Sequence, residues 1–358
     1  MIEDQLDMDY SDFLKGRVIS ESKDMSISHI EKKLIKEIFK KNYKISSRFK
    51  EIKSLKLLDR NFYYDVFTFA SENETYCLKF GDEDDHYIFK REFDVLKKIE
   101  KHKVSPTPIL IARDENYSCL ITSFEFSQSV KNEGLSCITK NLQSFAGSLK
   151  TIHNNSKSDF SERDMFLDMC FSMASFDEVL DSEDLDELKN IDQFNNCQQI
   201  LKSLKDCILL QIESMPEVDA CICHTNLKPS NILFRNNIFK FCNFHESFVL
   251  SPIWDLAMIC IKTELHRFPI LESKFVKHYN AEKEKEIKDA LPAYKDVCFK
   301  IMLHEIICTY FYRLIIVNNE GMVGLFNSYQ NIRPLVFKEF PIYVETLDKM
   351  FGDFNKII

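Results

Sequence analysis

The sequence predicts an α+β fold in which a run of strands precedes a larger, mainly helical part. Three observations predict it. Between residues 51 and 80, apolar residues recur at strand spacing, interrupted by short polar turns. From residue 138 onward the apolar period is helical through much of the chain. Between 221 and 255, a polar loop leads into a short apolar strand and then a second polar turn.

Taken in order, residues 1–25 are polar and acidic and read as a loosely held extension. Ile27, Ile30, Leu34, Ile35, Ile38 and Phe39 then recur at helical spacing, and Ser28-His-Ile-Glu31 is a capping-box pattern. This helix is expected to pack on the outside of the sheet. Strands are expected at 51–58, 62–70 and 75–80, joined by Asp59-Arg60-Asn61 and by Ser71-Glu-Asn-Glu74. Lys79 lies on the third strand. The following helix has an apolar stripe of Ile88, Phe89, Phe93, Val95, Leu96 and Ile99, and Glu92 falls inside it. A carboxylate on a core-facing stripe needs a cationic partner, because burying it unpaired costs several kcal/mol. Lys79 is the expected partner.

A strand at 118–122 runs into Ser123 and Phe124. Ile138, Leu142, Phe145, Leu149 and Ile152 mark a helix ending at His153, which reads as structural. Residues 155–216 are helical in period, with a markedly acidic stretch at 176–187 that reads first as a solvated helix face. Further helices are expected at 255–265, anchored by Trp254 and Leu256, at 293–318, apolar nearly all round, and at 334–351.

Composition sets limits on function. The net charge of −9 disfavours nucleic acid, whose phosphates need clustered Lys and Arg. The longest apolar runs, such as Leu314-Ile-Ile-Val317, are too short to span a bilayer. Twelve cysteines without C-x-x-C pairs or a signal peptide read as reduced thiols in a cytoplasmic protein. The Cys221/Cys223 spacing does not match the usual zinc patterns. Seven glycines in 358 residues fall well below the usual ~7% share. Few positions therefore let backbone N–H groups approach a phosphate closely.

The chemistry concentrates in 221–255. It reads Cys221-Ile-Cys-His224-Thr-Asn226-Leu-Lys-Pro-Ser-Asn231-Ile-Leu-Phe, then Phe241-Cys-Asn243-Phe-His-Glu246, then Trp254-Asp255-Leu-Ala. This arrangement resembles the aminoglycoside phosphotransferase and choline kinase family, whose loop reads roughly His-Gly-Asp-Leu-His-Pro-Gly-Asn and whose metal-binding turn reads Ile-Asp-Phe-Glu. The resemblance implies a two-lobed protein-kinase-like fold, with a small antiparallel-sheet N-lobe and a larger helical C-lobe. Residues 1–48 would be an N-terminal extension, 49–126 the nucleotide-side lobe, and 127–358 the C-lobe.

By the same resemblance, Lys79 and Glu92 would position nucleotide phosphates, and Ser123 and Phe124 would form the adenine-facing connector. The phosphate-covering loop would be the glycine-free turn at Asp59-Arg60-Asn61, with Arg60 as the candidate phosphate ligand. His224 would hold the loop, as would Asp255. Asn226 stands where the family has its catalytic aspartate, and it cannot take a proton at ordinary pH. Loss of a positioned base costs about 10²–10⁴ in rate. Asn231 and Asn243 would be the metal ligands, and both are neutral. Mg²⁺ is usually held by one or two carboxylates plus phosphate, so metal binding is disfavoured unless Glu246 substitutes.

ATP is thus the implied nucleotide and Mg²⁺ the weak point. Impaired transfer is the first expectation: a pseudokinase that binds a nucleotide or small molecule in its cleft, or a protein partner. The alternative is an active ATP-dependent kinase for a hydroxyl on an amine-bearing, aminoglycoside- or choline-like acceptor. For that reading, the acidic stretch would suit an amine.

Overall fold

A computed structural model describes residues 29–60, 64–124, 128–130, 136–172, 192–215, 219–316 and 348. Residues 1–28, the acidic stretch at 176–187, nearly all of the closing helix at 334–351 and the turn residue Asn61 lie outside them, as does the side chain of Arg60. The chain divides into two compact units. The first comprises Met1–Ser161 with Asp219–Ile287, and the second Glu162–Val218 with Lys288–Ile358.

The first unit opens with helices α1 (His29–Lys41) and α2 (Tyr43–Arg48). Strands β1 (Lys53–Arg60), β2 (Tyr64–Ser71), β3 (Glu74–Gly81), β4 (Pro108–Asp114) and β5 (Tyr117–Ser123) follow, with α3 (His86–Ile99) between β3 and β4. The five strands form one antiparallel sheet in the order β1-β2-β3-β5-β4.

The β1–β2 connection differs from the expected turn. Asp59 and Arg60 continue β1, paired with Val66 and Asp65, because register shifts along β1 carry the ladder further than its apolar pattern does. The β2–β3 hairpin turns at Glu72 and Asn73, both at positive φ (51° and 77°), the conformation that two-residue hairpins favour.

Each sheet face is covered differently. Leu78, Phe80, Phe67 and Phe69 pack with Ile35 and Phe39 of α1 and Ile45 of α2. Phe39 meets Phe69 edge to face at 5.4 Å. On the opposite face Tyr64, Val66 and Leu120 pack with Ile88 and Phe89 of α3. Lys79 lies between Leu78 and Phe80, so the alternation of the strand turns it toward α3.

The rest of the first unit holds β6 (Gln128–Ser129), α4 (Ser136–Lys140) and α5 (Leu142–Asn154). After the second unit's first segment, it continues with β7 (Cys221–Cys223), β8 (Ile232–Arg235), β9 (Ile238–Phe241) and β10 (Phe248–Leu250). Helices α8 (Ile253–Lys262) and α9 (Pro269–Tyr279) follow. For continuity of numbering, α6 (Arg163–Ser172) and α7 (Asp192–Glu213) belong to the second unit, and α10 (Glu284–Ile316) begins at the end of the first.

β7 pairs with β10, and β6-β8-β9 form a small three-stranded sheet. The expected 138–153 helix is divided, with Ile138 in α4 and Phe145, Leu149, Ile152 and His153 buried along α5. Trp254 and Leu256 are buried in α8, as their pattern predicts.

In the second unit, α6, α7 and α10 bury Phe166, Phe171, Leu204, Ile208, Phe299 and Leu303. Lys300 is buried there with Asp296 at 2.6 Å and Gln211 at 2.7 Å, which satisfies its charge. The expected 293–318 helix begins earlier, at Glu284, and carries Pro292 inside it. Among the described residues, no helix is long and apolar enough to cross a membrane.

Candidate functional site

β3 and α3 bring Lys79 Nζ to 2.6 Å from Glu92 Oε2, with both side chains almost wholly buried. The pair expected from the sequence is thus formed. Burial alone would push the Glu92 carboxyl up. Lys79 and a hydrogen bond from the Phe244 backbone outweigh it and bring it below its ordinary value. Burial acts to lower the Lys79 pKa, and Glu92 reverses that and raises it. Both groups are held charged.

The loop after β7 is built on Asp255, near the start of α8. Asp255 Oδ2 accepts the His224 N–H at 2.7 Å, and Oδ1 accepts the Thr225 N–H at 2.9 Å. The same Oδ2 lies 3.0 Å from His153 Nε2, and His153 Nδ1 lies 2.7 Å from the Tyr279 hydroxyl. His153 is thus structural: it aims the carboxylate that holds the loop. Thr225 sits at φ 58°, a left-handed conformation that is strained for a β-branched residue. The Asp255 contact holds it there, together with a hydrogen bond from its hydroxyl to the Glu246 carbonyl.

His224 is buried, and burial pushes its pKa down against the pull of Asp255, which keeps the ring neutral. Its Nε2 meets the Cys242 carbonyl at 2.7 Å, so Nε2 carries the proton. Nδ1 then accepts the Asn226 N–H at 3.3 Å.

Three side-chain amides meet in this loop region. Asn231 Nδ2 donates to the Asn226 carbonyl at 2.8 Å, and Asn243 Nδ2 donates to Asn231 Oδ1 at 2.7 Å. Asn243 sits at φ 67°, which Asn tolerates better than other side chains. Asn226 Nδ2 donates to Glu246 Oε2 at 2.5 Å, and Lys262 Nζ donates to Asn226 Oδ1 at 3.2 Å.

Glu246 is about a third exposed and also lies 3.4 Å from His245 Nε2. Burial raises its carboxyl pKa, but His245, Lys262 and the Asn226 amide prevail and bring it down to about 2. His245 Nδ1 in turn lies 3.2 Å from the Tyr64 hydroxyl, itself 3.5 Å from Lys79 Nζ. A polar chain therefore runs from Glu92 and Lys79 through Tyr64, His245 and Glu246 to Asn226.

Ser123 and Phe124, the expected connector, use their N–H groups internally. Ser123 donates to the Thr107 carbonyl at 2.8 Å and Phe124 to the Thr75 carbonyl at 3.2 Å. Sequence reasoning brought together Lys79 with Glu92 and placed Asn226, Asn231, Asn243 and His224 in one loop region. It missed Tyr64 and Lys262. A strand tyrosine reads as core, and a lysine at a helix C-terminus reads as a partner of the helix dipole, so neither carried a signal.

No protein-family model and no curated protein matches the chain. Solved structures do match. Choline kinase LicA from Streptococcus pneumoniae superposes with a TM-score of 0.56 at 18% identity, covering 85% of this chain and 97% of that one. Spectinomycin phosphotransferase APH(9)-Ia, in complex with ADP and spectinomycin, gives 0.55 at 15% identity, with coverages of 83% and 94%. A thermostable mutant of aminoglycoside phosphotransferase APH(4)-Ia, in a ternary complex with AMP-PNP and hygromycin B, gives 0.54 at 14%, with coverages of 77% and 97%. The fold is therefore the two-lobed, α+β kinase-like fold of aminoglycoside phosphotransferases and choline kinase. At these identities the likeness is one of fold, and function rests on the site.

Proposed function

We propose that this chain is a pseudokinase of the aminoglycoside phosphotransferase type, which binds a nucleotide, another small molecule or a protein partner and transfers phosphoryl groups poorly or not at all. One observation carries the reading: the Asn231–Asn243 amide pair. The two positions that would face a metal hold no carboxylate. Asn243 spends an amide proton on the Asn231 oxygen, one of the few atoms that could have met a cation. Mg²⁺ is a hard ion held by carboxylates and phosphate, so these residues do not fit it.

A nucleotide phosphate fits better. Lys79 is held charged by Glu92 and would provide the cation for it, with Arg60 beside the covering turn as a second. Ser123, Phe124 and Asn231 would complete the nucleotide side. His224 would keep the loop in shape, and Asn226 would orient a bound group by hydrogen bonding without taking its proton. The protein is expected to be cytoplasmic, with no nucleic-acid or membrane partner.

A second reading is favoured by Glu246. Its carboxylate is one hydrogen bond from the position of the family base, so negative charge has been displaced from residue 226 and not wholly lost. In that reading the chain is an ATP-dependent kinase for a hydroxyl of an amine-bearing small molecule, and Glu246 is also the one candidate to replace a metal ligand.

The two readings separate on incubation of the full chain with ATP, Mg²⁺ or Mn²⁺, and choline or aminoglycosides. The first predicts no ADP above a no-protein control. Acceptor-dependent ADP formation abolished by Glu246→Gln would establish the second.

A further inference from the structure

We propose that Cys221, Cys223 and His153 form a binding site for one thiophilic d¹⁰ metal ion, zinc(II) or copper(I), beneath the loop that carries His224. The proposal does not rest on what the cleft binds. One ligand atom from each residue lies within 4.8 Å of the other two, and all three residues are buried. Residues i and i+2 of a strand face the same side, so β7 presents both thiols together while Ile222 points away. Their Sγ atoms are 4.0 Å apart. Zinc–sulfur bonds of ~2.3 Å at the tetrahedral angle place two sulfurs about 3.8 Å apart, so little movement is needed to bridge them.

The third ligand is prepared by its neighbours. Asp255 accepts the N–H groups of His224 and Thr225, so its carboxylate can only accept from His153 as well. The His153 proton toward Asp255 is therefore on Nε2, 3.0 Å away, which leaves the lone pair on Nδ1. That lone pair takes the Tyr279 hydroxyl proton at 2.7 Å. A carboxylate holding the far nitrogen of an imidazole is the arrangement that orients histidine ligands at metal sites. A metal would take the Nδ1 lone pair in place of the Tyr279 proton, and the Tyr279 oxygen is at hand to complete the coordination.

Two soft sulfurs and one imidazole select zinc or copper(I) over magnesium or calcium. Binding of either ion releases one proton from each thiol, giving two thiolate–metal bonds and no redox change. Without metal, the Cys223 thiol is held by the Leu250 and Ser251 carbonyls at 3.5 and 3.3 Å.

Because the site is closed, the metal must enter during folding. The test is to refold the full, reduced chain with zinc(II), cobalt(II) or copper(I), remove unbound ion, and measure metal per chain. The expected result is about one equivalent, a thiolate-to-cobalt charge-transfer absorption, and uptake at least about tenfold weaker in Cys221→Ser and Cys223→Ser. Uptake of copper(I) alone identifies copper, and uptake of zinc and cobalt identifies zinc. Should the variants not fold, X-ray absorption on the wild-type metal must show two sulfur neighbours at about 2.3 Å. Uptake below about a tenth of an equivalent from every ion, or bound metal with no sulfur neighbours, overturns the proposal. So does uptake that both serine variants retain unchanged.

Discussion

Asn226 is bracketed by opposite charges: its amide donates to Glu246 and its oxygen accepts from Lys262. An aspartate placed here would not simply act as a base, because the new carboxylate would replace a donor 2.5 Å from the Glu246 carboxylate. Two carboxylates at that separation cannot both ionise without cost. Asn226→Asp alone is expected to lower stability by about 1.5–3 kcal/mol, the value of a hydrogen bond to a charged group, and to give no ATP turnover. Adding Glu246→Gln returns a donor to face the new aspartate and is expected to recover the lost stability. Denaturant titration of the single and double variants measures both effects. Recovery absent from the double variant would show that the two side chains are not coupled.

None of this bracketing could be read from the sequence. The contacts of Asn226 reach 20 residues forward to Glu246 and 36 to Lys262, and they depend on how the Asn243 turn is folded. Lys79 and Glu92 were legible for the opposite reason. A charge on an apolar helix stripe has few ways to be satisfied, and the preceding strand offered one lysine on the matching side.

Among the structural elements, β3 and α3 are joined across the sheet by that buried pair as well as by the apolar contacts around Phe89. Removing one partner leaves a buried charge alone, so Lys79→Met is expected to cost about 3–5 kcal/mol. Replacing both, as Lys79→Met with Glu92→Leu, is expected to recover most of that loss, since apolar replacement of a buried pair is often near neutral. A double-mutant cycle by chemical denaturation reads the difference, and additive losses would mean that the pair is not coupled.

The pH dependence follows from the same groups. Glu92 and Glu246 have folded-state values below an unfolded value of ~4.3, so their stabilisation is complete above that pH and is lost as pH falls through the folded values. Lys79 is raised, so its contribution is complete below ~10.4 and is lost at higher pH. His224 and His304 are lowered by burial, so stability is expected to begin falling as pH drops below an unfolded histidine value of ~6.5, and to fall further below pH ~4 as Glu92 and Glu246 take up protons. Glu92→Gln should flatten the acid limb, and an unchanged limb would contradict the assignment.

Strands β1, β2, β3 and β5 and helix α3 were foreshadowed by apolar period, whereas β4 and the order of strands in the sheet were not. The extension of β1 through Arg60 was not, because it arises from bulges that shift register without changing composition.

At the scale of the whole molecule, the kinase-like fold holds its central loop by buried polar contacts. His224, Asp255 and His153 brace the loop, and Lys79 with Glu92 braces the opposite wall. Residues 226, 231 and 243 present only amides. The central claim is that this cleft can hold a nucleotide yet gains nothing from a divalent metal. The most direct test is a calorimetric titration of the full chain with ATP, in the presence of Mg²⁺ and again in EDTA, with ADP followed in the same samples. The account predicts the same ATP affinity with and without Mg²⁺, weakened by Lys79→Met, and no ADP. Binding at least about tenfold tighter with Mg²⁺, accompanied by ADP formation, would contradict it.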